Sequence, residues 1–138
     1  MRVLAVDYGE KNIGLAISDE TGTLARPLGV MRHISKLADA TQVATRAQAE
    51  GVGLIVVGIS YDEQGQPNLS GRRAIRFVEA LREQTNLPIT LWDESLTTQD
   101  ARAARLAAGI RRKRRAGHLD EWAATILLQD YLNSQETR

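Results

Sequence analysis

The chain has 138 residues, room for one compact domain spanning 1–138 and too few for two ordinary ones. Apolar residues make up 43% and charged residues 25%, the balance of a folded protein, and the absence of cysteine excludes disulfides, thiolate metal sites and cysteine nucleophiles together. The net charge of +1 hides a split: residues 101–119 carry seven cations and no acid, so the other 119 residues stand at −6, and one cationic surface can face a polyanion while the body stays acidic.

Val3-Leu4-Ala5-Val6-Asp7 is a short apolar run ending in an acid, as expected of a strand buried on both faces. An acid so early argues against a secretory leader, and no run approaches the ~18 apolar residues of a membrane span, so a cytoplasmic location away from membranes is expected. After the turn residues 8–12, large side chains at 13, 15 and 17 alternate with small ones at 14, 16 and 18, so one face can fill a core while the other admits a close helix. A second turn at 19–22 leads to a third strand over 23–28, completing an antiparallel meander.

The period then changes to that of a helix. Leu37, Ala40, Val43, Ala44 and Ala47 share one side, and Glu50-Gly51 closes the element. Leu54-Ile55-Val56-Val57-Gly58 is a fourth strand; Ser70 is placed to cap a helix whose stripe is Ala74, Phe77, Val78 and Leu81; residues 88–92 form a fifth strand. Thr97-Thr98-Gln99-Asp100 fits a capping box opening an Ala-rich helix, the basic run follows, and residues 119–132 make the last helix. The order βββαβαβαα predicts an α/β fold with a mixed sheet, the later strands parallel to the first.

In such a sheet, ligands bind at the carboxyl ends of the parallel strands. Asp7 ends the first strand and Asp93-Glu94 the fifth. At 100° per residue, Asp120 falls within the arc of Ala123, Ala124, Leu127, Leu128 and Tyr131, and a carboxylate turned toward a core needs a cation or a metal beside it. Acids from distant segments, without cysteine and with little histidine, make a hard oxygen site suited to Mg²⁺ or Mn²⁺ and to phosphodiester hydrolysis, one ion lowering the pKa of a water and a second offsetting charge on the leaving oxygen. Each acid also has a plainer role open to it: Asp7 as a turn former, Asp120 as a first-turn helix acid, Asp93 and Glu94 as polar residues after a strand.

The segments Val6-Asp7-Tyr8-Gly9-Glu10-Lys11-Asn12-Ile13-Gly14, Ile55-Val56-Val57-Gly58, Asp93-Glu94-Ser95-Leu96-Thr97-Thr98 and Asp120-Glu121-Trp122-Ala123-Ala124, in that order from residue 2 to about 133, resemble the YqgF family, also called RuvX-like or Holliday-junction resolvase-like. The resemblance implies an RNase H-like fold with a five-stranded mixed sheet of order 3-2-1-4-5, strand 2 antiparallel, flanked by helices. It implies a metal-dependent nuclease centre whose catalytic and metal-binding acids map onto Asp7, Glu94 and Asp120. It further implies a role in maturing the 5′ end of pre-16S rRNA, in contact with pre-ribosomal particles, and points by its likeness to resolvases toward branched DNA as another substrate. The chain departs from the family pattern at Ser95, where an arginine is usual, and offers no acid after the fourth strand before Asp62, which leaves Asp93 or Glu121 as a fourth ligand.

Arg111, Arg112, Lys113, Arg114 and Arg115 precede the helix of Asp120 and could hold a phosphate backbone beside the acids; Lys11 could do so near Asp7, although a charge run is more often a solvated loop and a lone lysine a turn residue. His118 is read as a surface histidine, Trp92 and Trp122 as core residues, and Thr97 and Thr98 as helix caps. Two other readings remain open: a non-catalytic RNA- or ribosome-binding module of the same fold, supported by Ser95, and an ATPase phosphate loop at Asp7-Tyr8-Gly9, which needs two copies of the fold. Monomer and homodimer are both compatible with the sequence.

Overall fold

Apolar side chains on both faces place β1 (Arg2–Tyr8) at the centre of a five-stranded sheet, where Leu4, Ala5 and Val6 are wholly buried. The computed structural model describes residues 1–94 and 119–136, with side chains of the last segment from Glu121 onward. Strands β2 (Asn12–Ser18), β3 (Ala25–Arg32), β4 (Val52–Ile59) and β5 (Ile89–Asp93) complete the order β3-β2-β1-β4-β5. The β1–β2 and β2–β3 pairs are antiparallel, and β1–β4 and β4–β5 are parallel, as the meander and crossovers require. This is the expected five-stranded mixed sheet.

Helices α1 (Lys36–Ala49) and α2 (Leu69–Gln84) cover one face, over a core that includes Leu4, Val6, Ile13, Leu15, Val57 and Phe77. Helix α3 (Leu119–Glu136) covers the other, with Ala124, Leu127, Leu128 and Leu132 against Val3, Ala5, Ala16, Leu54 and Val56. The small side chains of β2 lie on this second face, which is what admits α3 so closely. Gln129 fixes the helix's position: its Oε1 accepts from the Ala25 amide at 2.9 Å and its Nε2 donates to the Thr23 carbonyl at 3.0 Å. With Gln129 held at the start of β3 and Leu127 reaching Gly58 near the end of β4, the amino-terminal end of α3 points to the carboxyl edge of the parallel strands.

Three local expectations are corrected. Strand β3 runs to Arg32 instead of ending at residue 28, because it is an edge strand: an edge tolerates Pro27, and the register shift between Leu15 and Ala16 absorbs the irregularity. Leu37 is 60% exposed, so the buried stripe of α1 is Asp39, Ala40, Val43 and Ala47. The cap of α2 is Asn68, whose side-chain oxygen accepts from Gly71 N at 2.8 Å, and Ser70 lies inside the first turn. Among the described residues no helix is long and apolar enough to cross a membrane. The capping box at 97–100, the Ala-rich helix and the basic run lie outside the described residues.

Candidate active site

Side-chain alternation along β1 sends Val3, Ala5 and Asp7 to the α3 face and Leu4, Val6 and Tyr8 to the α1/α2 face. The same alternation puts Leu91 on the α1/α2 face and Trp92 on the α3 face, so Glu94, two residues on, shares the side of Asp7 while Asp93 points the other way. Strands β1 and β5 are separated by β4, which sets their backbones about 10 Å apart. Glu94 narrows that gap. A methyl group added to Gly58 on β4 would lie 2.7 Å from Glu94 Oε1 and 3.0 Å from Leu127 Cδ2, so the carboxylate folds back over the bare backbone of Gly58. The register that pairs Val6 with Val57 brings Asp7 abreast of this glycine. Gly58 is therefore the floor under the Glu94 carboxylate beside the end of β1, a role the sequence signals only as a glycine at the end of an apolar strand.

The third predicted acid, Asp120, belongs to the first turn of α3, four and seven residues before Ala124 and Leu127 on the stripe that packs on the sheet. Its side chain lies outside the described residues, and among those that are described no three His, Cys, Asp or Glu groups come together. Among the described residues the donor set on this face of the edge is oxygen only: Asp7 and Glu94 are carboxylates, and His33 lies on the opposite face. That chemistry fits a hard divalent cation. Trp92 pairs with Gly58 in register and stands edge-on to Tyr131 at 5.3 Å, half-buried in the second core as expected, with its Nε1 buried and without a partner among the described residues. Lys11 is exposed in the β1–β2 turn. Arg111 to Arg115, Ser95, Thr97, Thr98 and His118 lie outside the described residues. Asp62 is occupied elsewhere, its Oδ1 accepting from the amides of Gln64 and Gln66 in the turn after β4.

A second polar cluster, missed in the sequence, lies at the same edge on the α1/α2 face. Asp39, wholly buried on α1, accepts from the Tyr8 hydroxyl at 2.8 Å and from Ile34 N at 3.0 Å, and pairs with His33 Nδ1 at 2.5 Å. Burial, then the hydrogen bond to Asp39 and its negative charge, push the Tyr8 hydroxyl well above the usual tyrosine range, so it stays a neutral donor. Tyr8 stacks on Phe77 at 4.2 Å, and the Arg73 guanidinium lies 5.8 Å from its ring. The angular rule that singles out Asp120 applies equally to Asp39, four residues before Val43 and eight before Ala47.

A family model described as RuvX, Holliday junction resolvase, matches residues 1–134. Among curated proteins, one from Thermoanaerobacter pseudethanolicus is 38% identical over 139 residues, covering all of both chains, and one from Clostridium acetobutylicum is 36% identical over 134 residues, covering 97% of this chain and 99% of the relative. Both carry the name "Putative pre-16S rRNA nuclease". Among solved structures, RuvC of T. thermophilus in complex with a Holliday junction aligns with a TM-score of 0.62 at 16% identity over 99% of this chain and 96% of that one. The fowlpox virus resolvase with junction DNA aligns at 0.61 and 14% identity over 98% and 99%. These likenesses at low identity establish the resolvase-type RNase H-like fold. Matched along nearly its whole length by the family model and by full-length relatives, the chain belongs to the RuvX family of Holliday junction resolvase-like nucleases.

Proposed function

We propose that the protein is a single-domain, divalent-metal-dependent endonuclease acting on structured nucleic acid, with the 5′ end of pre-16S rRNA as its substrate and the cytoplasmic pre-ribosomal particle as its setting. The observation that carries this is that strand alternation turns Asp7 and Glu94 to one face of the carboxyl edge, with Glu94 over Gly58, on the side covered by the helix whose first turn contains Asp120. Asp7, Glu94 and Asp120 would hold Mg²⁺ or Mn²⁺ through carboxylate oxygens. When bound there, a pair of such ions supplies Lewis acidity to the scissile phosphate and its attacking water, and offsets charge on the leaving oxygen.

The chain's own contribution is positional. β1 and β5 turn Asp7 and Glu94 to the same face, the missing side chain of Gly58 admits the Glu94 carboxylate, and Leu127 packs beside it from α3. Arg111 to Arg115 and Lys11 would hold the strand on either side through its phosphates, a grip indifferent to sequence and weakened by salt. The test is incubation of purified protein with labelled pre-16S rRNA and with a four-way DNA junction, each in Mg²⁺, Mn²⁺ or chelator. Wild type should cut the RNA only with metal, and Asp7→Asn should abolish cleavage while leaving folding and binding intact; cutting by Asp7→Asn at the wild-type rate would remove the mechanism. Junction cleavage, favoured by the description of the family model, is the second reading, and preferential cutting of the DNA would select it.

A further inference from the structure

Two clefts open at the carboxyl edge on the face opposite the acids. One, of about 310 Å³, is lined by Tyr8, His33, Lys36, Arg73 and Arg76. Its neighbour, of about 700 Å³, shares His33 and Arg73 and adds Glu10, Asn68, Leu69 and Ser70. Three permanent cations thus meet one acid, Glu10, which lines only the larger cleft. Among the described residues the ion pairs are Arg2–Glu20, His33–Asp39 and Arg46–Glu50, so Lys36, Arg73 and Arg76 enter none. By contrast, the cleft of about 610 Å³ at the opposite edge, between α1 and the segment after α2, has no charged residue in its lining.

The cationic cleft is also built rigidly. Arg73 is half-buried, held over the Tyr8 ring and within 3.5 Å of the Gly9 carbonyl, so its planar donors are set before any ligand arrives. Buried Asp39 takes His33 Nδ1 and the Tyr8 hydroxyl, which fixes the imidazole and leaves Nε2 as the ring's remaining polar atom. A fixed histidine, a stacked arginine and two exposed cations around one hollow match a phosphate group's charge and acceptor oxygens.

We propose that the cleft of Lys36, Arg73, Arg76 and His33 is a phosphate subsite that grips the substrate strand's backbone where it passes over the carboxyl edge, away from the acids. This rests on the nuclease reading for the identity of the strand, and it assigns these four residues to binding rather than to cleavage. The β1–β2 turn, with Glu10 and Lys11, lies between the two faces, so a strand seated at Asp7 and Glu94 crosses it to reach the cleft.

The experiment measures binding of a short single-stranded RNA by fluorescence anisotropy, in chelator and at several salt concentrations, for wild type, Lys36→Gln, Arg76→Gln and Arg82→Gln. Arg82 is the internal control: it is an exposed cation on the same helix, six residues or about 9 Å further along. Lys36→Gln and Arg76→Gln should each weaken binding about 3- to 10-fold and lower the slope of log affinity against log salt by about 0.7 to 1, whereas Arg82→Gln should match wild type. Equal effects from Arg76→Gln and Arg82→Gln, or none from Lys36→Gln and Arg76→Gln, would overturn the assignment. In parallel, inorganic phosphate is titrated while the His33 ring resonances are followed by NMR. A saturable shift in wild type that weakens in Arg76→Gln supports the cleft, and its absence counts against it. If wild type bound no RNA, the nuclease reading would fall, and the phosphate titration alone would decide whether the cleft is a phosphate site.

Discussion

Gly58→Ala separates the geometry of the acid site from the stability of the fold. The added methyl would lie 2.7 Å from Glu94 Oε1 and 3.0 Å from Leu127 Cδ2, against ordinary contact beginning near 3.4 Å. The carboxylate must therefore withdraw by about 0.7 Å and the leucine by about 0.4 Å. Gly58 has no positive φ, so the backbone accepts alanine without strain. Glutamate yields cheaply because the clash is at the far end of a flexible side chain, and the folding cost should be about 1 kcal/mol, a fall in Tm of roughly 2–6 °C. Catalytic ligands tolerate about 0.5 Å, and a misplacement of about 1 Å costs on the order of 100-fold. Activity should then drop about 10- to 50-fold, with a higher concentration of Mg²⁺ or Mn²⁺ needed for half-maximal rate. The assay is cleavage rate against metal concentration, beside thermal melts of the same preparations. In a Glu94→Gln background the further loss from Gly58→Ala should vanish, because the group it displaces no longer serves. Wild-type metal dependence in Gly58→Ala, or equal losses in both backgrounds, would refute the placement of Glu94 in the site.

Ser18 is wholly buried and its Oγ accepts from the Val3 amide at 2.8 Å, so Ser18→Ala leaves a buried donor unmet and should cost about 1–3 kcal/mol, read as a lower Tm with unchanged metal dependence. Tyr8→Phe removes the hydroxyl bonded to Asp39 and should cost about 1–2 kcal/mol near neutral pH. Because Tyr8 is shifted upward by burial and by Asp39, its contribution is full below the ordinary value of 10.0 and is lost as pH rises beyond it; the stability gap between wild type and Tyr8→Phe should therefore hold from pH 6 to 9 and change only in stronger alkali, as followed by urea denaturation.

The sheet was legible because strands buried on both faces read as unbroken apolar runs, and residues 3–6 and 54–57 are such runs. The helices showed through their period, and the small face of β2 foretold the close approach of α3. What escaped was decided by contacts between segments. Leu37 has the right angle for burial but lies at the exposed start of α1, while Asp39 has the same angular claim and is buried because Tyr8, His33 and Ile34 N satisfy it. The fold of Glu94 over Gly58 depends on a rotamer that no spacing encodes. The cationic cleft escaped for another reason: Lys36 on α1 lies 37 and 40 residues from Arg73 and Arg76 on α2, and counting charge by segment finds only contiguous runs such as 111–115.

The acid site and the cationic cleft share one structural origin in consecutive residues of β1. Asp7 and Tyr8 end the central strand, and strand alternation delivers the first to the α3 face and the second to the α1/α2 face. The acid shares its face with Gly58 and Glu94; the phenol is held by Asp39 beneath Arg73, where cations gather. A one-residue slip in the pairing of β1 would turn Asp7 to the α1/α2 face and Tyr8 to the α3 face. Register is guarded against that slip at both ends of the strand, by the buried Ser18 hydroxyl on Val3 N and by Tyr8 stacked on Phe77. The residues that hold β1 in place thus also keep the negative and positive sites on opposite faces of one edge, the arrangement a polyanionic strand crossing that edge requires if its phosphates are to be held at one point and its backbone presented to the acids at another.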